Sequence, residues 1–178
     1  MKRIIFLLSA LLLCVEAFAA KEYKLLSPNG KLEVTVTAEP QLSYSIKCDG
    51  EQILAPSQIG LKIYKGANLG EKIAVKRVKR TSVKTEIPTQ FYFRSTIKDH
   101  YNALRIEFAA RYAVEFRAYD EGVAYRFVTN FKQDFKLENE IAEFAFAKDY
   151  KGSFTYPNRT GPKNDTYTLL VCVVYNRL

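Results

Sequence analysis

Few side chains in this 178-residue chain could carry catalysis. Its single histidine, His100, lies between Asp99 and Tyr101, and a Ser-His-Asp or Cys-His nucleophile system would have to use it. The polar residues around His100 are typical of a turn between strands, so we interpret it as an exposed loop histidine. The sequence contains no HExxH motif, no paired CxxC motif and no glycine-rich loop that opens a helix.

Paired carboxylates are needed on either side of the bond in glycoside hydrolysis, and here two occur as neighbours, Asp120 and Glu121. Side chains of neighbouring turn residues diverge, so a structural role is the better interpretation. Asp120 can accept hydrogen bonds from nearby backbone N–H groups, and Gly122 is predicted to supply a left-handed residue. A Gly122→Val substitution is then expected to cost about 1 kcal/mol or more through Cβ strain.

Aromatic side chains, which could stack on the apolar face of a sugar ring, are plentiful: 12 Tyr and 12 Phe, with no Trp. Most of the Phe residues occupy alternating positions in predicted strands and are interpreted as core. The candidates for sugar contact are four tyrosines in or beside predicted loops: Tyr92, Tyr101, Tyr150 and Tyr156.

The elements that must position these side chains are strands, because apolar and polar residues alternate through most of the chain. Asp49-Gly50 predicts a two-residue hairpin turn, since both positions of such a turn need positive φ. Short strands that recur with turn residues between them indicate an all-β fold, an antiparallel β-sandwich. Strands are predicted over residues 32–37, 42–47, 59–64, 73–84, 103–108, 114–119, 123–129 and 141–147.

The formal net charge is +8, and basic residues are densest between positions 76 and 80. We interpret this group as a solvated or edge strand whose charges discourage edge-to-edge pairing. The alternative is a strip that binds polyanions. Nucleic acid is not the predicted partner, because the basic residues are dispersed and the chain begins like an exported protein. The group consists of Lys76, Arg77, Lys79 and Arg80.

Residues 1–20 are predicted to be a signal peptide. A positive n-region precedes a short apolar run, and Ala17 and Ala19 offer the small residues of a cleavage site. Leu13 stands before Cys14 where a lipoprotein would have a small residue, which argues against lipid attachment. The mature protein is therefore expected to be periplasmic or secreted, with no membrane anchor after cleavage.

Residues 21–178 are predicted to form one β-sandwich domain. Near its end, residues 169–175 form an apolar run typical of a central strand that is covered on both faces. Little sequence follows to cover such a strand, so we expect the sandwich to be incomplete at its C-terminus. Cys48 and Cys172 remain after signal removal, either as one disulfide or, in the interpretation we favour, as two unpaired thiols.

A family resemblance is carried by five segments in order: residues 27–34, 42–46, 53–61, 101–108 and 116–127. The most distinctive stretch is Arg-Ala-Tyr-Asp-Glu-Gly-Val-Ala-Tyr-Arg, at positions 117–126. Together they resemble the N-terminal domain of glycoside hydrolase family 97, over residues 23 to about 147. Four residues look like structural elements of its signature hairpin: Arg117, Asp120, Gly122 and Arg126.

The resemblance implies an exported bacterial protein related to enzymes that act on α-glucosides or α-galactosides, many of them in Bacteroidetes. In that family the N-terminal domain is a large galactose-mutarotase-like β-sandwich, packed on a (β/α)₈ barrel that holds the catalytic carboxylates. The family's calcium ion is held mostly by barrel glutamates and by one glutamate from late in the N-terminal domain. No segment here matches that glutamate or the barrel, so no catalytic residue, metal ligand or cofactor is predicted for this chain.

We therefore predict a non-catalytic β-sandwich scaffold of an exported, family 97-like α-glycoside hydrolase, associated with carbohydrate binding or processing. Its expected packing partner is a catalytic barrel domain, and its substrate-binding residues are unknown. Two alternatives stay open: a stand-alone periplasmic carbohydrate-binding module, and a basic structural or interaction protein.

Overall fold

The computed structural model describes residues 21–90 and 95–150, and these ranges contain nine β-strands and no helix. They form two antiparallel sheets, of order β1-β2-β3-β4-β9 and β5-β6-β7-β8. The predicted all-β, antiparallel β-sandwich is therefore confirmed. The strands are β1 Glu22–Leu26, β2 Leu32–Ala38, β3 Leu42–Cys48, β4 Glu51–Ile63, β5 Val75–Pro88, β6 Thr96–Phe108, β7 Tyr112–Tyr119, β8 Val123–Thr129 and β9 Leu137–Ala142.

The two sheets pack face to face on one apolar core. Because successive side chains of a strand point to opposite faces, alternate residues enter this core. Val34 of β2 and Leu104 and Ile106 of β6 have no exposed surface. The rings of Tyr44 on β3 and Phe116 on β7 meet across the two layers, with 5.7 Å between their centroids.

Most of the predicted strands correspond to observed ones, but β1 was not predicted and the strand near residue 141 was misplaced. We predicted a strand over residues 141–147, whereas β9 is Leu137–Ala142. This strand is held at the edge of its sheet by pairing with β4, and nearly all of its side chains are exposed. An exposed edge strand needs no apolar alternation, so the sequence of β9 did not indicate a strand. The alternating residues that follow it, up to position 147, were predicted as the strand instead.

The prediction that His100 lies in a turn is wrong. Strand β6 continues through it, and His100 pairs with Lys84 of β5. The far end of this two-stranded ribbon extends beyond the core, since Ile87 and Ile97 are 49% and 40% exposed. Because solvent reaches both faces of this ribbon, its residues can be polar on both sides. Such a polar stretch lacks apolar alternation, so its sequence resembles a turn.

Of the two predicted turns, the one at Asp49-Gly50 is confirmed. Its residues have φ of 48° and 84° and connect β3 to β4. The prediction of a left-handed Gly122 is wrong, because its φ lies outside that region. The Tyr119 N–H donates to the Gly122 carbonyl at 2.8 Å, so the two residues between them make the turn without positive φ.

The carboxylate of Asp120 has a longer-range role than a local turn hydrogen bond. Its Oδ1 accepts a hydrogen bond from the backbone N–H of Asn29, 91 residues away, at 2.8 Å. Asn29 lies between β1 and β2. Asp120 therefore connects the β7–β8 hairpin tip to the other sheet.

The two turn glycines permit a matched test of backbone strain. A Cβ at either Gly50 or Gly122 would meet no heavy atom within 4 Å, but only Gly50 has positive φ. Gly50→Ala is expected to lower the free energy of unfolding by about 1 kcal/mol, whereas Gly122→Ala changes it by less than about 0.5 kcal/mol. Urea denaturation of both variants measures this difference, and a larger loss for Gly122→Ala would contradict the turn geometry.

Several predictions fall outside the described residues: the signal peptide at 1–20, the apolar run at 169–175, Cys172, Tyr92 and Tyr156. No helix that could cross a membrane is found within the described ranges.

Candidate functional site

A pocket of about 400 Å³ opens on the outer face of the β5-β6-β7-β8 sheet. Strand alternation builds it, because Leu104, Ile106 and Phe116, which lie between its lining residues on β6 and β7, enter the core. The lining comprises Arg77, Lys79 and Thr81 of β5; Tyr101, Ala103, Arg105 and Glu107 of β6; Glu115 and Arg117 of β7; and Arg126 of β8.

The strand register brings four charged residues into one row across the sheet. Lys79 is opposite Arg105, Arg105 is opposite Glu115, and Glu115 is opposite Arg126. Directly opposite residues have Cβ atoms about 4.5–5.5 Å apart, so their side chains interact. The row therefore places one carboxylate among three cations.

Glu115 lies at the centre of this charge cluster, with its side chain 12% exposed. Its Oε1 accepts hydrogen bonds from Arg117 and from Arg126, each at 3.0 Å, and Arg105 Nη1 is 3.7 Å from its Oε2. Burial by itself raises the pKa of Glu115, but the hydrogen bonds and charges of Arg117 and Arg126 outweigh it and hold the pKa below its usual value. An ionised carboxylate bound by arginines can position them but cannot serve as a general acid at neutral pH.

Arg117 is held on two sides. Its side chain binds Glu115, and its guanidinium carbon lies 4.5 Å from the centroid of the Tyr101 ring. A hydrogen bond with the Tyr119 side chain is the largest influence on the pKa of Arg117 and raises it. Such a guanidinium has little freedom to move, so its remaining N–H groups have a fixed direction.

Tyr101 is not the loop residue that we predicted. It lies within β6 and is 9% exposed, and Arg117 covers one face of its ring. Of the four tyrosines proposed for sugar contact, Tyr150 is half-buried near the end of the described residues and stacks edge-on with Phe146.

The pocket carries a cation excess. Its five cationic side chains, less its two carboxylates, leave a formal charge of 5 − 2 = +3. Glu107 is paired with Arg105 at 3.2 Å. Arg77 and Lys79 are exposed and form no ion pair with another residue of the described ranges. The excess charge therefore faces solvent on the β5 side.

Strand β5 is an edge of its sheet within the described residues, as its basic composition predicted. The basic group divides, however, between two faces. Arg77 and Lys79 line the pocket, whereas Arg80 Nη2 donates to the Lys24 carbonyl of β1 at 3.2 Å. Basic residues that are dispersed in sequence are thus gathered by the fold.

The predicted hairpin residues separate into two groups. Arg117 and Arg126 meet in the pocket through Glu115, whereas Asp120 and Gly122 form and brace the turn at the hairpin tip. Sequence reasoning did not identify Arg105, Glu107 or Glu115 as site residues. The available indication was charge at alternate positions of neighbouring strands, but only the pairing register shows that those charges meet.

The pocket does not fit the calcium ion of the resembled family. Calcium takes about six to eight oxygen ligands. Both pocket carboxylates are bound by arginines, and no group of three or more His, Cys, Asp or Glu within residues 21–90 and 95–150 could hold a metal ion.

An antiparallel two-sheet sandwich is an architecture that many domains share without sequence similarity, so the fold by itself does not define a function. A family profile described as the glycosyl-hydrolase 97 N-terminal domain matches residues 25–170. The chain therefore belongs to the glycoside hydrolase family 97 N-terminal domain family, as the ordered sequence segments indicated.

Among characterised proteins, the chain is similar to a retaining alpha-galactosidase of Bacteroides thetaiotaomicron. The two are 39% identical over 156 residues, which covers 88% of this chain and 24% of that protein. The chain thus spans about a quarter of the length of this relative.

Solved structures show the same fold. A glycoside hydrolase family 97 enzyme from Pseudoalteromonas sp. strain K8, in complex with acarbose, has a TM-score of 0.69 and 23% identity, covering 77% of this chain and 22% of that one. A beta-arabinopyranosidase has a TM-score of 0.67 and 18% identity, covering 75% of this chain and 22% of that one.

Proposed function

We propose that this chain is the non-catalytic β-sandwich portion of an exported family 97 glycoside hydrolase. The observation that carries the proposal is the match of residues 25–170 to the N-terminal domain family. The characterised relative is a retaining alpha-galactosidase of which the chain covers 24%. We infer that an α-galactoside or α-glucoside is the substrate class of the whole enzyme.

The state of the pocket carboxylates supports a non-catalytic role. A retaining glycosidase needs two carboxyl groups about 5–5.5 Å apart, one protonated as general acid and one free as nucleophile. Here Glu115 is bound by arginines with a lowered pKa, and Glu107 is paired with Arg105. Both are paired with arginines, so catalytic carboxylates would come from a barrel partner.

The same proposal includes where the chain works and what it contacts. A signal peptide at residues 1–20 would deliver it to the periplasm or the outside of the cell. There the sandwich would pack on the catalytic barrel and contribute to carbohydrate binding or processing, with no cofactor of its own.

The test is a turnover assay with the purified full chain. Incubation with p-nitrophenyl α-galactoside and p-nitrophenyl α-glucoside is expected to release no nitrophenol above the buffer blank. A full-length family 97 α-galactosidase, assayed in parallel, shows that the conditions support hydrolysis. Turnover by the chain that survives repurification and is lost in Glu115→Gln would overturn the non-catalytic role.

A further inference from the structure

We propose that the outer-face pocket binds an acidic saccharide through its anionic group, either a uronate carboxylate or a sulfate ester. The saccharide part of this inference rests on the proposed function, and the anionic part rests on the pocket. The name of the relative, a retaining alpha-galactosidase, specifies no such group, so the pocket would add a second kind of sugar recognition to the domain.

The charge of the pocket requires an anion as its best ligand. Three of its five cations, Arg105, Arg117 and Arg126, share Glu115, and the other two have no carboxylate partner among the described residues. A guanidinium has five N–H donors in a planar fork that matches the two oxygens of a carboxylate or sulfate. Glu115 uses only some of those donors, so the arginines can bind a second oxyanion from the solvent side.

The pocket is also pre-organised. Glu115 and the Tyr101 ring hold Arg117 in place, and Glu107 holds Arg105. Fixed donors lose less conformational entropy when a ligand binds than free surface side chains do. A field of flexible lysines would lack this property.

The shape and the uncharged lining favour a saccharide over a bare ion. A volume of about 400 Å³ lies within the range of about 300–1,000 Å³ that is usual for small-molecule sites. The small Ala103 lies between Thr81 and Arg117 in one cross-strand row and forms part of the pocket lining. The Thr81 hydroxyl and the Glu107 carboxylate lie on the same lining and can hydrogen-bond sugar hydroxyls.

Calorimetric titration of the full chain at low ionic strength tests the proposal, because screening there is weak. The probes are galacturonate, galactose 6-sulfate, neutral galactose and inorganic sulfate. At least one acidic sugar is expected to bind about tenfold or more tightly than galactose and than inorganic sulfate. Whichever acidic sugar binds better identifies the anionic group.

A matched pair of double variants locates the binding. Arg77→Ala with Lys79→Ala removes two unpaired cations from the pocket, while Lys62→Ala with Lys84→Ala removes two exposed cations outside it. The first pair is expected to weaken acidic-sugar binding about tenfold or more, and the second less than about twofold.

Three results would overturn the proposal: equal binding of galactose and the acidic sugars, equal losses in the two double variants, or inorganic sulfate binding as tightly as the sugars. The last result would point to a simple anion or to acidic side chains of a protein partner. None of these results touches the turnover assay, so failure of the pocket proposal is distinguishable from failure of the non-catalytic role.

Discussion

Replacing Phe116 with alanine is expected to lower the free energy of unfolding by about 3–5 kcal/mol. The ring has no exposed surface and packs against Tyr44 and Tyr125, each with centroids 5.7 Å away. Tyr44 belongs to the opposite sheet, so removal of the ring opens a cavity between the two layers. Urea denaturation at neutral pH, followed by tyrosine fluorescence or circular dichroism, measures the loss.

The matched control is Phe135→Ala, which removes the same ring where it is 40% exposed. Phe135 contacts Phe131 at 5.2 Å, outside the named strands. We expect this variant to lose less than about 1 kcal/mol. Similar losses in both variants would mean that the sheets do not pack through Phe116.

Replacing Glu115 with glutamine is expected to cost about 1–2 kcal/mol at pH 7. The substitution keeps the shape but leaves Arg105, Arg117 and Arg126 close together without the central negative charge. A fully buried pair would cost more, but these arginines are 31–59% exposed, and solvent screens their repulsion. The control Glu107→Gln removes a single ion pair, with Arg105, that is more exposed to solvent than Glu115. This variant is expected to cost less than about 0.5 kcal/mol.

The pH dependence of the Glu115→Gln effect follows from the lowered pKa of Glu115. A carboxyl whose pKa is lower in the folded state stabilises the protein above its unfolded pKa, and this contribution is lost as the pH falls through the folded pKa. The stability difference between wild type and Glu115→Gln is therefore expected to be constant from about pH 6 to 8 and to shrink below about pH 4.5. A difference that grows on acidification would contradict the ion-pair geometry.

Local sequence rules predicted the parts of the fold that local chemistry determines. Alternation identified β7 and β8, because one face of β7 is buried in the core and alternate residues of β8 pack against that core. The Asp49-Gly50 turn was predicted because its two residues must adopt positive φ. The ordered segments also identified the family correctly. The most distinctive of them, residues 116–127, forms most of the β7–β8 hairpin.

The errors occurred where solvent exposure or partner strands determine the structure. His100 lies in a polar strand that a partner strand holds beyond the core, and β9 is an edge strand without an apolar face. Gly122 follows a two-residue turn whose residues do not have positive φ, so the left-handed conformation that we predicted for this glycine is not needed. These features depend on how separate segments pair with each other, and the periodicity of one segment gives no information about that pairing.

The pocket was beyond sequence prediction for the same reason. Arg117 and Arg126 were identified as hairpin residues, but their common partner Glu115 was not, and Arg77 was interpreted as a strand charge with polyanion binding as the alternative. The register of three strand pairs sets these side chains side by side. A shift of one residue in any pair would turn its charges to the other face.

The most direct test of the charge cluster is a carbon-13 NMR titration of the Glu115 carboxyl in the full chain. Arginines at hydrogen-bond distance predict a titration midpoint below the ordinary value of 4.5, and an upward shift of that midpoint in Arg126→Ala. A midpoint at or above 4.5 in the wild type, unchanged in the variant, would show that the strands do not gather these charges around Glu115.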